Sequence, residues 1–205
     1  MCTNCQLENF YRKKGIMENK KWIKSIYEPK MEDICSGKTV CWDMDNTLIN
    51  ERGNVFGPGM DNVLYELKRN GYKNVIWTNS RKERSLAIIK AFKKNYFDII
   101  ITRESYDLDE IKTKFPSNFK RIFEEYKNDS RFQFQLKHPE FKNLDFVGGK
   151  ILIEDDPEQK KLAEAAKCKF KVIIVPPFKD KNISDKIKMA EHRKIADNLK
   201  KHFGV

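Results

Sequence analysis

The sequence predicts a doubly wound, Rossmann-like α/β fold with a mostly parallel sheet and a small insertion, on three observations. Short, nearly unbroken apolar runs recur between residues 39 and 175, as suits strands buried on both faces of a parallel sheet. Amphipathic stretches with helix start and stop signals separate them, and this alternation argues for βαβ units. The length, 205 residues, suits one domain with modest elaboration rather than two full domains.

In chain order, residues 1–37 form a polar, basic lead-in, with one short helix predicted over 17–27, where Trp22, Ile23 and Ile26 share a side and Pro29 follows. The apolar runs Thr39–Trp42, Val75–Trp77, Phe97–Ile101, Ile151–Ile153 and Val172–Val175 are read as strands of a domain spanning 38–205. Pro58 opens the first helix between them, Met60, Val63, Leu64 and Leu67 make its apolar stripe, and Gly71 closes it. A capping-box pattern from Ser80 to Glu83 starts the second, continued by Leu86, Ile89 and Phe92. Pro157 starts a third, with Leu162, Ala165 and Ala166 facing inward, and a last helix runs from about Ser184 through Ile187, Ile195, Leu199 and Phe203. The stretch of about 104–136 breaks the alternation. Ile111, Phe115, Phe119, Ile122, Phe123 and Tyr126 sit at helical spacing, then Phe132 and Phe134 alternate as in a strand.

Lysine and arginine outnumber acids 41 to 30, giving a formal charge of +11. Such a balance favours a phosphorylated or otherwise polyanionic macromolecular partner, phosphoprotein or nucleic acid, although charge spread along the whole chain also serves solubility. No apolar run approaches the roughly 18 residues of a membrane helix, and the N-terminal residues lack a secretory pattern, so an intracellular, cytoplasmic or nuclear protein is expected. Five cysteines without an export signal argue against a disulfide framework. Cys2 and Cys5 form a CxxC with no second pair or spaced histidines to complete a zinc site.

In such sheets ligands bind beyond the carboxyl ends of the strands. After the first predicted strand comes Asp43-Met44-Asp45-Asn46-Thr47, two carboxylates one residue apart that converge if the backbone turns there. A phosphate ester would be repelled by bare aspartates; a divalent cation removes that repulsion. Asp43 is then placed to attack phosphorus and form an aspartyl phosphate, with Asp45 as general acid and base. The second strand ends in Thr78-Asn79-Ser80, where a hydroxyl and backbone N–H groups at a helix start suit a phosphate oxygen. The fourth ends in Glu154-Asp155-Asp156-Pro157, three acids that are costly together unless a cation shares their space. A basic side chain should complete the site. Lys137 is preferred, at the junction of the Phe132–Leu136 run with a helix start, and Lys142 is the alternative.

These residues resemble the haloacid dehalogenase superfamily of phosphohydrolases. Asp43–Thr47 matches its DxDxT motif, Thr78–Ser80 its second motif, Lys137 its third and Glu154–Pro157 its acidic fourth, in the family's order over roughly 37–178. The closest resemblance is to the branch of RNA-polymerase C-terminal-domain phosphatases and NLI-interacting-factor-like relatives, through Thr78-Asn79-Ser80-Arg81 and the turn Pro176-Pro177-Phe178. Asn46 stands where that branch usually has Glu. The resemblance implies no large cap, a Mg²⁺ cofactor and hydrolysis of phosphoserine or phosphothreonine on a protein. It also implies catalytic Asp43, Asp45 and Lys137, substrate contacts from Thr78 and Asn79, and metal ligands among Asp43, Asp45, Asp155 and Asp156. A nucleotide or nucleic-acid 3′-end phosphatase, or a catalytically silent phospho-binding module, is the alternative.

Overall fold

The computed structural model describes Cys35, residues 37–92 and residues 96–205. The helix predicted over 17–27 and the Cys2/Cys5 pair lie outside the described residues. Five parallel strands, β1 (Thr39–Trp42), β2 (Lys73–Trp77), β3 (Ile99–Ile101), β4 (Ile151–Glu154) and β5 (Lys171–Ile174), form one sheet in the order β3-β2-β1-β4-β5. All five predicted runs are strands, with shifts of one or two residues at their ends.

The period-two alternation of strand side chains divides the core in two. Val40, Trp42, Ile76 and Ile153 point into one cluster, and Cys41, Val75, Trp77 and Leu152 into the other. The first cluster is closed by α1 (Met60–Arg69), α2 (Lys82–Phe92) and α8 (Lys186–Phe203), through Met60, Val63, Leu64, Leu67, Ile88, Ile89, Ala196 and Leu199. The second is closed by the segment between β3 and β4 and by α7 (Pro157–Ala165). Helices therefore cover both faces of the sheet, and the fold is doubly wound as predicted.

The segment between β3 and β4 contains the stretch of about 104–136 that breaks the alternation. It is helical throughout its first part: α3 (Arg103–Tyr106), α4 (Leu108–Lys114), α5 (Pro116–Tyr126) and α6 (Ser130–Lys137). The alternating Phe132 and Phe134 belong to α6 and not to a strand. Asp129 caps that helix by accepting from the Arg131 N–H, and the helix buries Phe132 and Gln135, one turn apart. Three helix readings also need correction. In α7, Ala163 and Gln159 are buried beside Leu162, whereas Ala165 is exposed. In α8 the cap is Asp185, the inner face is His192, Ala196 and Leu199, and Ile187 is 72% exposed. The N-terminus of α2 is held by Glu104, whose carboxylate accepts from the Lys82 N–H at 3.2 and 3.4 Å, while the Ser80 hydroxyl turns to other partners.

Cys35, Cys41 and Cys168 are free thiols; the first two are buried and touch, Sγ to Sγ at 3.8 Å. No helix among the described residues is long and apolar enough to cross a membrane.

Candidate functional site

From β1 the chain runs outward through β2 to β3, then returns to β4 on the opposite side of β1. The direction of winding thus reverses between β1 and β4, and it is beyond the carboxyl ends at such a reversal that open α/β sheets bind ligands. Asp43 is the first residue after β1; Glu154 is the last of β4, and Asp155 follows it. Two acids distant in sequence become neighbours because their strands pair, with Trp42 opposite Ile153 and the Asp43 N–H donating to the Ile153 carbonyl at 2.9 Å.

The loop after β1 reverses immediately. The Met44 carbonyl accepts from the N–H groups of Leu48 and Ile49, and Asn46 sits at φ 62°, a left-handed conformation that asparagine tolerates better than most residues. Phe178, in the predicted Pro176-Pro177-Phe178 turn, donates its N–H to the Asn46 carbonyl at 2.6 Å and so ties the end of β5 to this loop.

Lys142 reaches Asp43. Its Nζ donates to Asp43 Oδ1 at 2.5 Å and to Glu154 Oε2 at 2.7 Å, and the residue is 1% exposed. The loop that carries it is fixed from both ends. Gln135, itself buried, donates to the carbonyls of His138, Pro139 and Phe141, and the Lys142 N–H donates to Gln159 on α7 at 2.9 Å. Phe141 and Leu144, both fully buried, anchor the flanks. The preference for Lys137 is therefore corrected. It is exposed in the last turn of α6, and the strand-to-helix junction that recommended it does not exist, because the run before it is helical.

Asp43, Glu154 and Asp155 present carboxylate oxygens that lie within 4.8 Å of one another. Burial pushes Asp43 up to about 7, with the Lys142 charge opposing and Glu154 adding. Burial also raises Asp155 to about 6, reinforced by the Asp43 charge and opposed by the Thr47 hydroxyl, which donates to its Oδ1 at 3.1 Å. Glu154 is raised by burial as well. For Lys142 burial favours loss of the proton, but Asp43 and Glu154 outweigh it and hold the ammonium protonated.

Three carboxylates thus face one ammonium, an excess of acidic groups in a largely buried place where water screens them poorly. Hard oxygen donors with an unbalanced negative charge could hold a metal ion. Glu154 is largely engaged already, with Oε2 on Lys142 and Oε1 accepting from the backbone N–H groups of Asp155 and Asp156. It serves the cluster chiefly by orienting Lys142, leaving Asp43 and Asp155 as the foremost candidate ligands.

The other expected ligands fall elsewhere. Asp156 is exposed and caps α7, its Oδ1 accepting from the Glu158 N–H at 2.9 Å. Asp45 is outside the cluster. Its Oδ2 accepts from Ser80 Oγ at 2.6 Å and from Arg84 Nη1 at 2.8 Å, and its Oδ1 pairs with Arg84 Nη2 at 2.6 Å. Thr78 is buried, its Oγ1 accepting from the Ser80 N–H at 3.0 Å. Asn79 is exposed, and its Oδ1 accepts from the hydroxyl of the buried Tyr106 on α3.

Sequence reasoning placed Glu154 in the acidic run without a role of its own, kept Lys142 as the alternative lysine, and missed Arg84. Glu154 had a signal, since it continues the β4 run without a break. Lys142 had one too: it is a lysine set between Phe141 and Leu144, where apolar neighbours draw the backbone inward. Arg84 lies one helical turn beyond Ser80, a spacing that brings the two side chains together on one face. Compared with known protein families and with curated protein sequences, the chain matches none.

Proposed function

We propose that this protein is a Mg²⁺-dependent phosphomonoesterase of the haloacid dehalogenase type, acting through an aspartyl phosphate on Asp43, with phosphoserine or phosphothreonine in a protein as its substrate class. The observation that carries the reading is the Lys142 bridge between Asp43 and Glu154, with Asp155 alongside, at the carboxyl ends of β1 and β4.

In this reading an Asp43 carboxylate oxygen attacks phosphorus in line as the ester P–O bond breaks, and the leaving oxygen takes a proton from Asp45. Water then attacks the aspartyl phosphate and gives its proton back to Asp45; inorganic phosphate leaves and Asp43 is restored. Lys142 keeps a positive charge beside the reacting oxygens throughout, which steadies Asp43 before attack and the phosphoryl oxygens during it. Asp43 and Asp155 would hold the cation, which would supply charge screening for the phosphoryl group. Thr47 fixes Asp155, and Glu154 fixes Lys142. The basic surface and the absence of any large insertion between β1 and β2 favour a macromolecular phosphoester over a small enclosed metabolite.

Turnover of an aryl phosphate, with and without Mg²⁺, tests the reading, followed by comparison of phosphopeptides, mononucleotides and 3′-phosphorylated oligonucleotides. Asp43→Asn is expected to reduce hydrolysis below a thousandth of wild type with the fold intact by circular dichroism. Retention of a tenth of the activity would remove Asp43 as nucleophile, and preference for the oligonucleotide would reassign the substrate class.

A further inference from the structure

Asp45 and Asp43 share one loop, yet only Asp43 joins the acidic cluster. What holds Asp45 apart is a three-membered clamp. Arg84 Nη1 donates to Asp45 Oδ2 at 2.8 Å, and Nη2 lies 2.6 Å from Oδ1 as an ion pair without hydrogen-bond geometry, so Oδ1 is buried with no hydrogen-bond partner. Ser80 Oγ donates to the same Oδ2 at 2.6 Å and accepts from Arg84 Nη1 at 2.6 Å, while Arg84 Nη2 also donates to the Glu51 carbonyl at 2.9 Å. Two donors, Ser80 Oγ and Arg84 Nη1, converge on Oδ2 and fix that oxygen, which leaves Oδ1 as the one available to a reacting group. The guanidinium is itself fixed by Ser80 and Glu51, so the orientation is set by the scaffold.

We propose that Arg84 is a positioning residue for the phosphoryl-transfer step, holding Asp45 so that one of its oxygens is aimed at the leaving oxygen. The inference rests on the phosphatase reading. As the P–O bond breaks, its electron pair goes to the leaving oxygen, which takes the proton carried by Asp45. The other Asp45 oxygen stays on Arg84 as an acceptor. Ser80 supports the same geometry from the end of β2. Arg84 touches neither substrate nor metal in this role. Its side chain is 39% exposed on α2, so its loss leaves the core untouched.

A positioning role has a signature that a structural role lacks. Proton donation matters most when the leaving group is a poor one and hardly at all when it departs readily as an anion. The experiment measures kcat/KM, with Mg²⁺ present, over a series from phenyl phosphate to 2,4-dinitrophenyl phosphate for wild type, Arg84→Ala, Arg84→Lys and Ser80→Ala. Arg84→Ala is expected to lose roughly a hundredfold on phenyl phosphate and less than about threefold on the dinitrophenyl ester. Arg84→Lys is expected to recover part of the loss, because a single ammonium keeps one of the two contacts. Ser80→Ala is expected to show the same tilt at smaller amplitude. An equal loss across the series, or a loss confined to KM, overturns the proposal while leaving the phosphatase reading in place. Absence of hydrolysis by wild type across the series overturns both.

Discussion

Asp43 and Asp45 stand two residues apart, and the structure gives them opposite surroundings. Asp43 meets Lys142 in the interior, where both side chains are almost inaccessible to water. Asp45 meets Arg84 at the rim, where the side chains are 26% and 39% exposed. A buried ion pair carries a large desolvation cost that only an intact set of partners offsets, whereas an exposed pair is screened and contributes little. The interior pair is therefore costly to break and sensitive to protons and cations. The rim pair is cheap to break, and its value lies in orientation.

The largest expected effect comes from removing the interior cation. Lys142→Met leaves Asp43 and Glu154 buried without a counter-charge and is expected to cost about 3–5 kcal/mol in urea unfolding at neutral pH. Arg84→Met is expected to cost about 1 kcal/mol or less by the same measurement. Equal losses would break the contrast between interior and rim.

Next comes a dependence on pH in chelated protein. Asp43, raised from 3.8 to about 7, and Asp155, raised to about 6, bind protons more tightly folded than unfolded. The stability they contribute is complete below the ordinary carboxylate range and is lost as pH rises through about 6 and 7, by an amount on the order of a few kcal/mol. Mg²⁺ is expected to restore it at pH above that window and to do little below it, because protons and metal compete for the same oxygens. Asp155→Asn should abolish the restoration. Stability that rises across the window, or an undiminished magnesium response in that variant, would contradict the description of the cluster.

The smallest effects sharpen the boundary of the site. Asp156→Ala removes a helix cap and is expected to cost about 0.5–2 kcal/mol while leaving the magnesium response unchanged. Lys137→Ala is expected to stay within about 0.5 kcal/mol and to leave turnover intact. A lost magnesium response in the first variant, or lost turnover in the second, would reopen the assignments of Asp155 and Lys142.

How much of this was legible beforehand follows from which forces act locally. The strands could be read because a sheet covered on both faces leaves its mark in every residue of runs such as Thr39–Trp42 and Ile151–Ile153. Asp43 could be read because it directly follows one of those runs, and the Asp155 position for the same reason. Lys142 could be read only as an alternative, through its apolar neighbours Phe141 and Leu144, since its burial also depends on long-range packing with Gln135 and α7. The alternation of Phe132 and Phe134 imitated a strand within a helix whose cap, Asp129, was the better signal. The register of the acidic run was settled by a competition between capping and clustering. Asp156 satisfies the helix start, which frees Asp155 for the cluster with Asp43 and Glu154.

The most direct test of the central claim is to find the covalent intermediate. The full chain, mixed briefly with an aryl phosphate and Mg²⁺ and quenched in acid, is digested and mapped by mass spectrometry. The expected result is a phosphoryl group on the peptide carrying Asp43, absent from Asp43→Asn. Continued turnover with Asp43 unmodified, or a phosphoryl group on another residue, would contradict the account.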